Sequence, residues 1–187
     1  MQKVVITGHD LTVDQIIAVC REGAEVVLSD ESREKILASR QVVNELVEER
    51  KVVYGITTGF GKFSDVVISQ DECKLLQKNL IITHAVGAGD PFKEDIARGI
   101  LLLRVNSLSN GFSGICLETV ETMIAMLNKG VTPFIPEKGS LGASGDLAPL
   151  SHMVLPMIGL GMAWYKGELL PGAEAMERAG IPVIELS

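Results

Sequence analysis

The tripeptide Ala143-Ser144-Gly145 carries almost no side-chain bulk. Glycine reaches backbone angles closed to other residues, so a strained loop can bend here. Such a bend would press the amide nitrogen of Gly145 onto the carbonyl carbon of Ala143. Condensation with loss of water closes a five-membered ring. Loss of the Ser144 hydroxyl as a second water leaves an exocyclic methylene, and the product is a strong electrophile made of backbone atoms. On three residues alone, a glycine turn capped by Ser144 or Asp146 at a helix start is much the better account of the run.

The surrounding residues decide between these readings. The run from Gly139 to Leu150, GSLGASGDLAPL, resembles the prosthetic-group loop of the aromatic amino acid ammonia-lyases. Three more stretches agree in order and spacing. Val53 to Asp65 reads VYGITTGFGKFSD and is similar to the family's tyrosine loop. Leu76 to Gly89 reads LQKNLIITHAVGAG and is similar to the helix end that meets the substrate side chain. Arg104 to Gly114 reads RVNSLSNGFSG and is similar to the following core helix and turn. The resemblance spans essentially the whole chain.

The resemblance implies that Ala143, Ser144 and Gly145 become 4-methylidene-imidazol-5-one, with no external cofactor. It implies that Tyr54 is the base that removes the β-proton. A free phenol ionises near pH ~10, so donors or positive charge must favour its anion; the glycines around it, Gly61 among them, let backbone N–H groups approach. It implies that the pair Thr83-His84 contacts the substrate ring. Thr83-His84 is similar to the Ser-His pair of the histidine-specific members, with threonine in place of serine, and points to L-histidine, giving trans-urocanate and ammonia. Members acting on phenylalanine or tyrosine, or an aminomutase, are the alternatives, together with a helical segment that has no catalysis of its own. A histidine that merely caps a helix end is the other reading of His84. Asp146 either assists dehydration near the Ala143 carbonyl or caps the next helix. His152, inside an apolar helix, reads as a hydrogen-bonded core histidine. The family also implies a homotetramer whose sites draw on several subunits. The 187 residues then form an amino-terminal part, ending before the central helical region is complete and inactive alone.

Other chemistries fail on spacing. Gly142-Ala143-Ser144-Gly145-Asp146 lacks the last glycine of a nucleophile elbow. A phosphate loop ending at Gly61-Lys62 would need glycine at Ile56 and a hydroxyl at Phe63, and a dinucleotide fingerprint from Gly59 meets Ser64. No two histidines have metal-ligand spacing.

These groups need elements to hold them. Hydrophobic residues make up 47% of the chain and aromatics only 4%, so an aliphatic core is expected. A net charge of −7, from 17 basic and 24 acidic residues, disfavours nucleic acid and anionic membranes. The longest apolar run, Met153 to Tyr165, falls short of the ~20 residues a membrane span requires. Three cysteines without a paired spacing suit free thiols in a reducing cytoplasm.

The fold class expected is mainly α, a helical core of the ammonia-lyase (L-aspartase-like) type with short peripheral strands and a small hairpin. Strands are predicted at Lys3–Ile6 and Glu25–Leu28. Thr12 to Gln15 is a capping box for a helix to Arg21, and Ser29 or Asp30 opens a helix to about Arg50. A capping box at Ser69 starts a helix to His84, and a glycine loop covers Val86 to Asp90. Asp90-Pro91 should open a helix to Asn110, and Ser113 another to Asn128. Pro133 to Gly145 reads as extended loop. An apolar helix is expected from Asp146 to Ala163 with a kink at Pro156. A hairpin at Trp164–Leu169, a helix over Ala173–Ala179 and a strand at Val183–Leu186 complete the reading. The helices from Asp90 and Asp146 are apolar on most faces, which calls for further partners.

Overall fold

Two short β-branched runs begin the chain. Lys3–Ile6 (β1) and Glu25–Leu28 (β2) pair in parallel, with Val4 opposite Val26 and Ile6 opposite Leu28. The computed structural model describes residues 2–49, 51–56, 58 and 70–186, with the helical backbone alone at 70–73. The crossover between the strands is Val13–Arg21 (α1). Thr12 caps it through the reciprocal box with Gln15, as its sequence predicts. Asp30–Glu48 (α2) follows, capped by the Ser29 hydroxyl on the Ser32 N–H at 3.1 Å. Ile36 on α2 is fully buried, while Val43, Leu46 and Val47 on the same face are half-buried.

Gln70–His84 (α3) ends where expected, at His84. The Ser69 capping box lies outside the described residues. The glycine stretch beyond α3 is not simply loop. Ala88–Pro91 (β3) pairs antiparallel with Pro136–Lys138 (β5), Ala88 facing Lys138 and Pro91 facing Pro136 across a register shift. That pairing takes Pro91 out of the helix it was expected to open. The Phe92 N–H is spent on the Ile135 carbonyl at 2.9 Å, so the helix waits until Glu94–Leu108 (α4), with Lys93 at its cap and its end short of Asn110.

The next helix also starts late, at Leu117–Lys129 (α5) rather than Ser113. Gly114 has φ +66°, and its N–H bonds the Ser39 hydroxyl of α2 at 2.9 Å, so the chain is tied down before it can coil. Helix α5 ends one residue past the expected Asn128, with Gly130 capping it in the left-handed conformation.

Helix α4 is the axis of the core. Leu101, Leu102 and Val105 on it are fully buried, in one continuous cluster with Val4, Ile6, Val19, Val120 and Met126. Its Arg98 guanidinium, which burial pushes below its ordinary value, donates to the last-turn carbonyls of two neighbours, Leu127 of α5 at 3.1 Å and Val19 of α1 at 2.9 Å. On α5, the Asn128 side chain both accepts from the Val26 N–H (2.8 Å) and donates to the Val26 carbonyl (2.9 Å). Outside the core face, Ile96 and Leu103 of α4 stay exposed.

The carboxy-terminal half replaces the long apolar helix with three pieces. Leu147–Val154 (α6) passes into a single 3-10 turn, Leu155–Ile158, which stops at Gly159 with φ +75°. Pro156 removes the N–H that α-helical pairing would need, so the anticipated kink is a change of helix type. Met162–Tyr165 (β6) is strand. It pairs antiparallel with Val131–Pro133 (β4) and with Glu168–Pro171 (β7). The β6–β7 hairpin turns on Lys166 (φ +51°) and Gly167 (φ +81°), the pair of positive angles a two-residue primed turn requires. Gly172–Arg178 (α7) packs back on the 3-10 turn. Val183 to Leu186 forms no strand. Its Ile184 N–H bonds the Met157 carbonyl at 2.8 Å, its Ile184 side chain is buried in the core, and Glu185 pairs with Lys74 of α3 at 3.8 Å. The architecture is mainly helical, with three small sheets among the described residues, as the fold class anticipated.

Candidate active site

Two of the proposed chemical centres are joined by the β3–β5 pair. The chain leaves His84, passes Gly87 and enters β3. Its partner β5 runs through Gly139 into the Ala143-Ser144-Gly145 loop, which opens α6. Helices α3 and α6 pack on each other. The two connections touch at glycines. A methyl group on Gly139 would lie 3.1 Å from the Gly87 Cα and 3.2 Å from the Ala148 Cβ. A side chain at Gly139 must therefore push the tripeptide loop away from the His84 helix end. Gly139→Ala should destabilise the chain by about 1–3 kcal/mol through overpacking, read from a denaturant midpoint.

The tripeptide sits on a turn over Gly142, Ala143 and Ser144, bounded by glycines at φ +82° (Gly142) and φ +76° (Gly145). Ala143 and Ser144 are exposed and Gly145 is half-buried. Asp146 holds the cap position of α6, yet its side chain makes no capping bond, so the capping reading of this residue fails. Its own carbonyl accepts from the Leu150 N–H at 2.9 Å.

At the end of α3, the Leu80 carbonyl is shared. It accepts from Thr83 Oγ1 at 3.1 Å and contacts His84 Nδ1 at 2.8 Å. A carbonyl can only accept, so Nδ1 carries the proton and a neutral His84 leaves Nε2 with a free lone pair. The capping role foreseen for His84 is thus real, and it is compatible with binding, since the cap uses the other nitrogen.

Tyr54 belongs to a turn closed by the Ile56 N–H on the Val53 carbonyl at 3.1 Å, and its ring is 62% exposed. The Gly55 N–H bonds the buried Thr58 hydroxyl at 3.4 Å. Gly55 and Ile56 line a cleft of about 690 Å³ with Val43 and Val47 of α2 and with Gly114 and Cys116 before α5. Lys74 and Gln77 of α3, the helix that ends at His84, line the same cleft, so the tyrosine turn and the His84 helix border one space. Gly61 lies outside the described residues.

Sequence reasoning undervalued His152. Its Nε2 accepts the Gly87 N–H at 2.9 Å, so it ties α6 to the segment just past His84. Nothing in the local sequence marks this pairing, because the partner is a backbone group far along the chain. Burial pushes the His152 imidazole below its ordinary value. Lys74, Lys78 and His84 on α3, Asp90 on β3, and Glu137 and Lys138 on β5 are among the titratable groups of the neighbouring elements, and burial rather than any of them sets the direction. The unfolded chain protonates more readily than the folded one. The histidine's share of stability is therefore complete above the ordinary imidazole pKa of about 6.5 and is lost as pH falls through the lower folded value. Thermal melts between about pH 8 and about pH 5 should record a falling Tm, with a shallower fall in His152→Gln.

Among the described residues, no cluster of histidine, cysteine, aspartate or glutamate could hold a metal, and no helix is long and apolar enough to cross a membrane. Cys20 and Cys116 are each half-buried.

The family model for aromatic amino acid lyases matches residues 11–187. The chain belongs to the aromatic amino acid lyase family. Enzymes of this family work with a methylidene-imidazolone electrophile. The histidine ammonia-lyase of Caldanaerobacter subterraneus is 62% identical over the whole chain, which covers 37% of that protein. Among solved lyase-family structures, histidine ammonia-lyase from Trypanosoma cruzi superposes with a TM-score of 0.91 at 38% identity, covering all of this chain and 36% of that one. Phenylalanine aminomutase from Pantoea agglomerans gives the same TM-score, 0.91, at 35% identity, with 100% and 36% covered. The chain thus spans little more than a third of the length of these relatives.

Proposed function

We propose that the protein containing these residues removes ammonia from L-histidine without oxidation, yielding trans-urocanate. The observation that carries this is the 62% identity with a histidine ammonia-lyase along all 187 residues. Fold likeness alone does not select the substrate, since a histidine lyase and a phenylalanine aminomutase match equally well. The chemistry at the α3 end favours an imidazole. With Nδ1 held by the Leu80 carbonyl at 2.8 Å, His84 presents an acceptor that an imidazole N–H can satisfy. A phenyl ring would leave that acceptor unpaired, at a cost of about 1–3 kcal/mol once water is excluded.

In this reading Ala143, Ser144 and Gly145 form the prosthetic ring. The loop suits ring closure: small residues, a turn over Gly142 to Ser144, and Gly145 at φ +76°, an angle that glycine adopts without strain. Once formed, the ring supplies the electrophile that makes the amine a better leaving group. The chain's own residues do the rest. Thr83 and His84 orient the substrate ring. Tyr54 takes the β-proton, supported by backbone donors of its loop, Gly61 among them. Asp146, free of capping duty, stands beside the dehydrating triplet. The exposed Ile96 and Leu103 of α4 and Leu147 of α6 suit burial between subunits, in keeping with a homotetramer. A cytoplasmic location suits an enzyme acting on a small diffusible substrate.

The test is the absorbance of urocanate formed from L-histidine by the purified full enzyme, with L-phenylalanine and L-tyrosine as rivals. Turnover of either rival at a higher kcat/KM than histidine overturns the substrate assignment.

A further inference from the structure

We propose that His152 is a positioning residue for this site: by accepting the Gly87 N–H at 2.9 Å, it fixes the helix end bearing Thr83-His84 against the loop bearing Ala143-Ser144-Gly145. The proposal rests on the lyase reading for its kinetic consequence, but not for its structural one.

Gly87 lies three residues beyond His84, past the hydrogen bonds of α3, so its N–H has no helical partner. His152 lies on α6, the helix into which the tripeptide runs. One bond thus spans the two connections. The contact is close on every side. A methyl group at Gly87 would fall 3.0 Å from the His152 Nε2 and 3.1 Å from the Pro136 Cβ of β5. Gly139, just after β5, packs on the same glycine. Helix α3, strands β3 and β5, and helix α6 therefore meet at Gly87, and the imidazole is the polar group at that junction.

A filler of space at this position would be aliphatic, like the neighbouring Met153, Leu155 and Met157, all buried. A half-buried imidazole costs desolvation unless its nitrogen is bonded, and here the bond is the one to Gly87. The acceptor must be unprotonated. The low proton affinity that burial gives His152 keeps it so.

Glutamine is the discriminating substitution, because its Oε1 stands about where Nε2 stands and can only accept. In the full enzyme, His152→Leu should lower kcat/KM for L-histidine about 100-fold, with most of the change in KM, as a displaced binding group does. The two-water mass deficit of the ring should persist. His152→Gln should recover to within about threefold of the unsubstituted enzyme. Equal losses in the two variants, or an unchanged KM in His152→Leu, would overturn the proposal. If the unsubstituted full enzyme forms no urocanate, the lyase reading fails and hydrogen exchange at the Gly87 amide decides the positioning role. Exchange should quicken about tenfold or more in His152→Leu and hold in His152→Gln. Equal exchange in all three proteins would sink it.

Discussion

Ser144→Ala abolishes lyase activity in the full enzyme, with kcat falling by at least about 1,000-fold, the scale on which loss of a single transition-state stabilising group already acts. The reason lies in atom balance. Alanine at position 144 still allows condensation of the Gly145 nitrogen with the Ala143 carbonyl, but it has no hydroxyl to leave as the second water. No exocyclic methylene results, and the amine has no electrophile to meet. Intact mass reads this directly: the unsubstituted protein should weigh two waters less than its sequence, and the variant at most one. Ser144 is exposed on its turn, so the change removes no core packing and the fold should survive. An active, mass-unshifted Ser144→Ala enzyme would end the ring hypothesis.

Tyr54→Phe has the second largest effect, a fall in kcat of about 1,000-fold, within the range for removal of a general base. Tyr54 is 62% exposed, so removing its hydroxyl opens no cavity in the core. KM for histidine should move little, because the phenol acts on the β-proton and the substrate ring is held elsewhere, by Thr83-His84. Ring formation should also persist, so the mass deficit separates this variant from Ser144→Ala. A raised KM with unaltered kcat would instead make Tyr54 a binding group.

The chemistry proposed for the site was drawn from residue order alone. Ala143-Ser144-Gly145, Tyr54 and Thr83-His84 are local patterns, and so are the capping box at Thr12 and the turn at Lys166-Gly167. What escaped depends on partners distant in the chain. Asp90-Pro91 is a sound helix opening taken in isolation, yet the Ile135 carbonyl claims the Phe92 N–H and the segment becomes strand. Ser113 is a sound cap, yet Ser39 holds Gly114 first. The apolar run after Asp146 has helical composition throughout. Pro156 and the left-handed Gly159 and Gly161 break it, and β4 recruits the remainder as strand. Val183 to Leu186 has strand composition and finds no strand to pair with among the described residues. His152 was legible as a bonded core histidine, but not as the link between two functional segments, since that link is a main-chain amide.

The Asn128 carboxamide grips both polar groups of Val26, occupying rungs that another strand would use. A two-stranded ribbon normally offers its rim as a template on which foreign chains can zip. Here a side chain plugs that rim at its midpoint. A further strand could join the β2 rim only by first displacing that carboxamide.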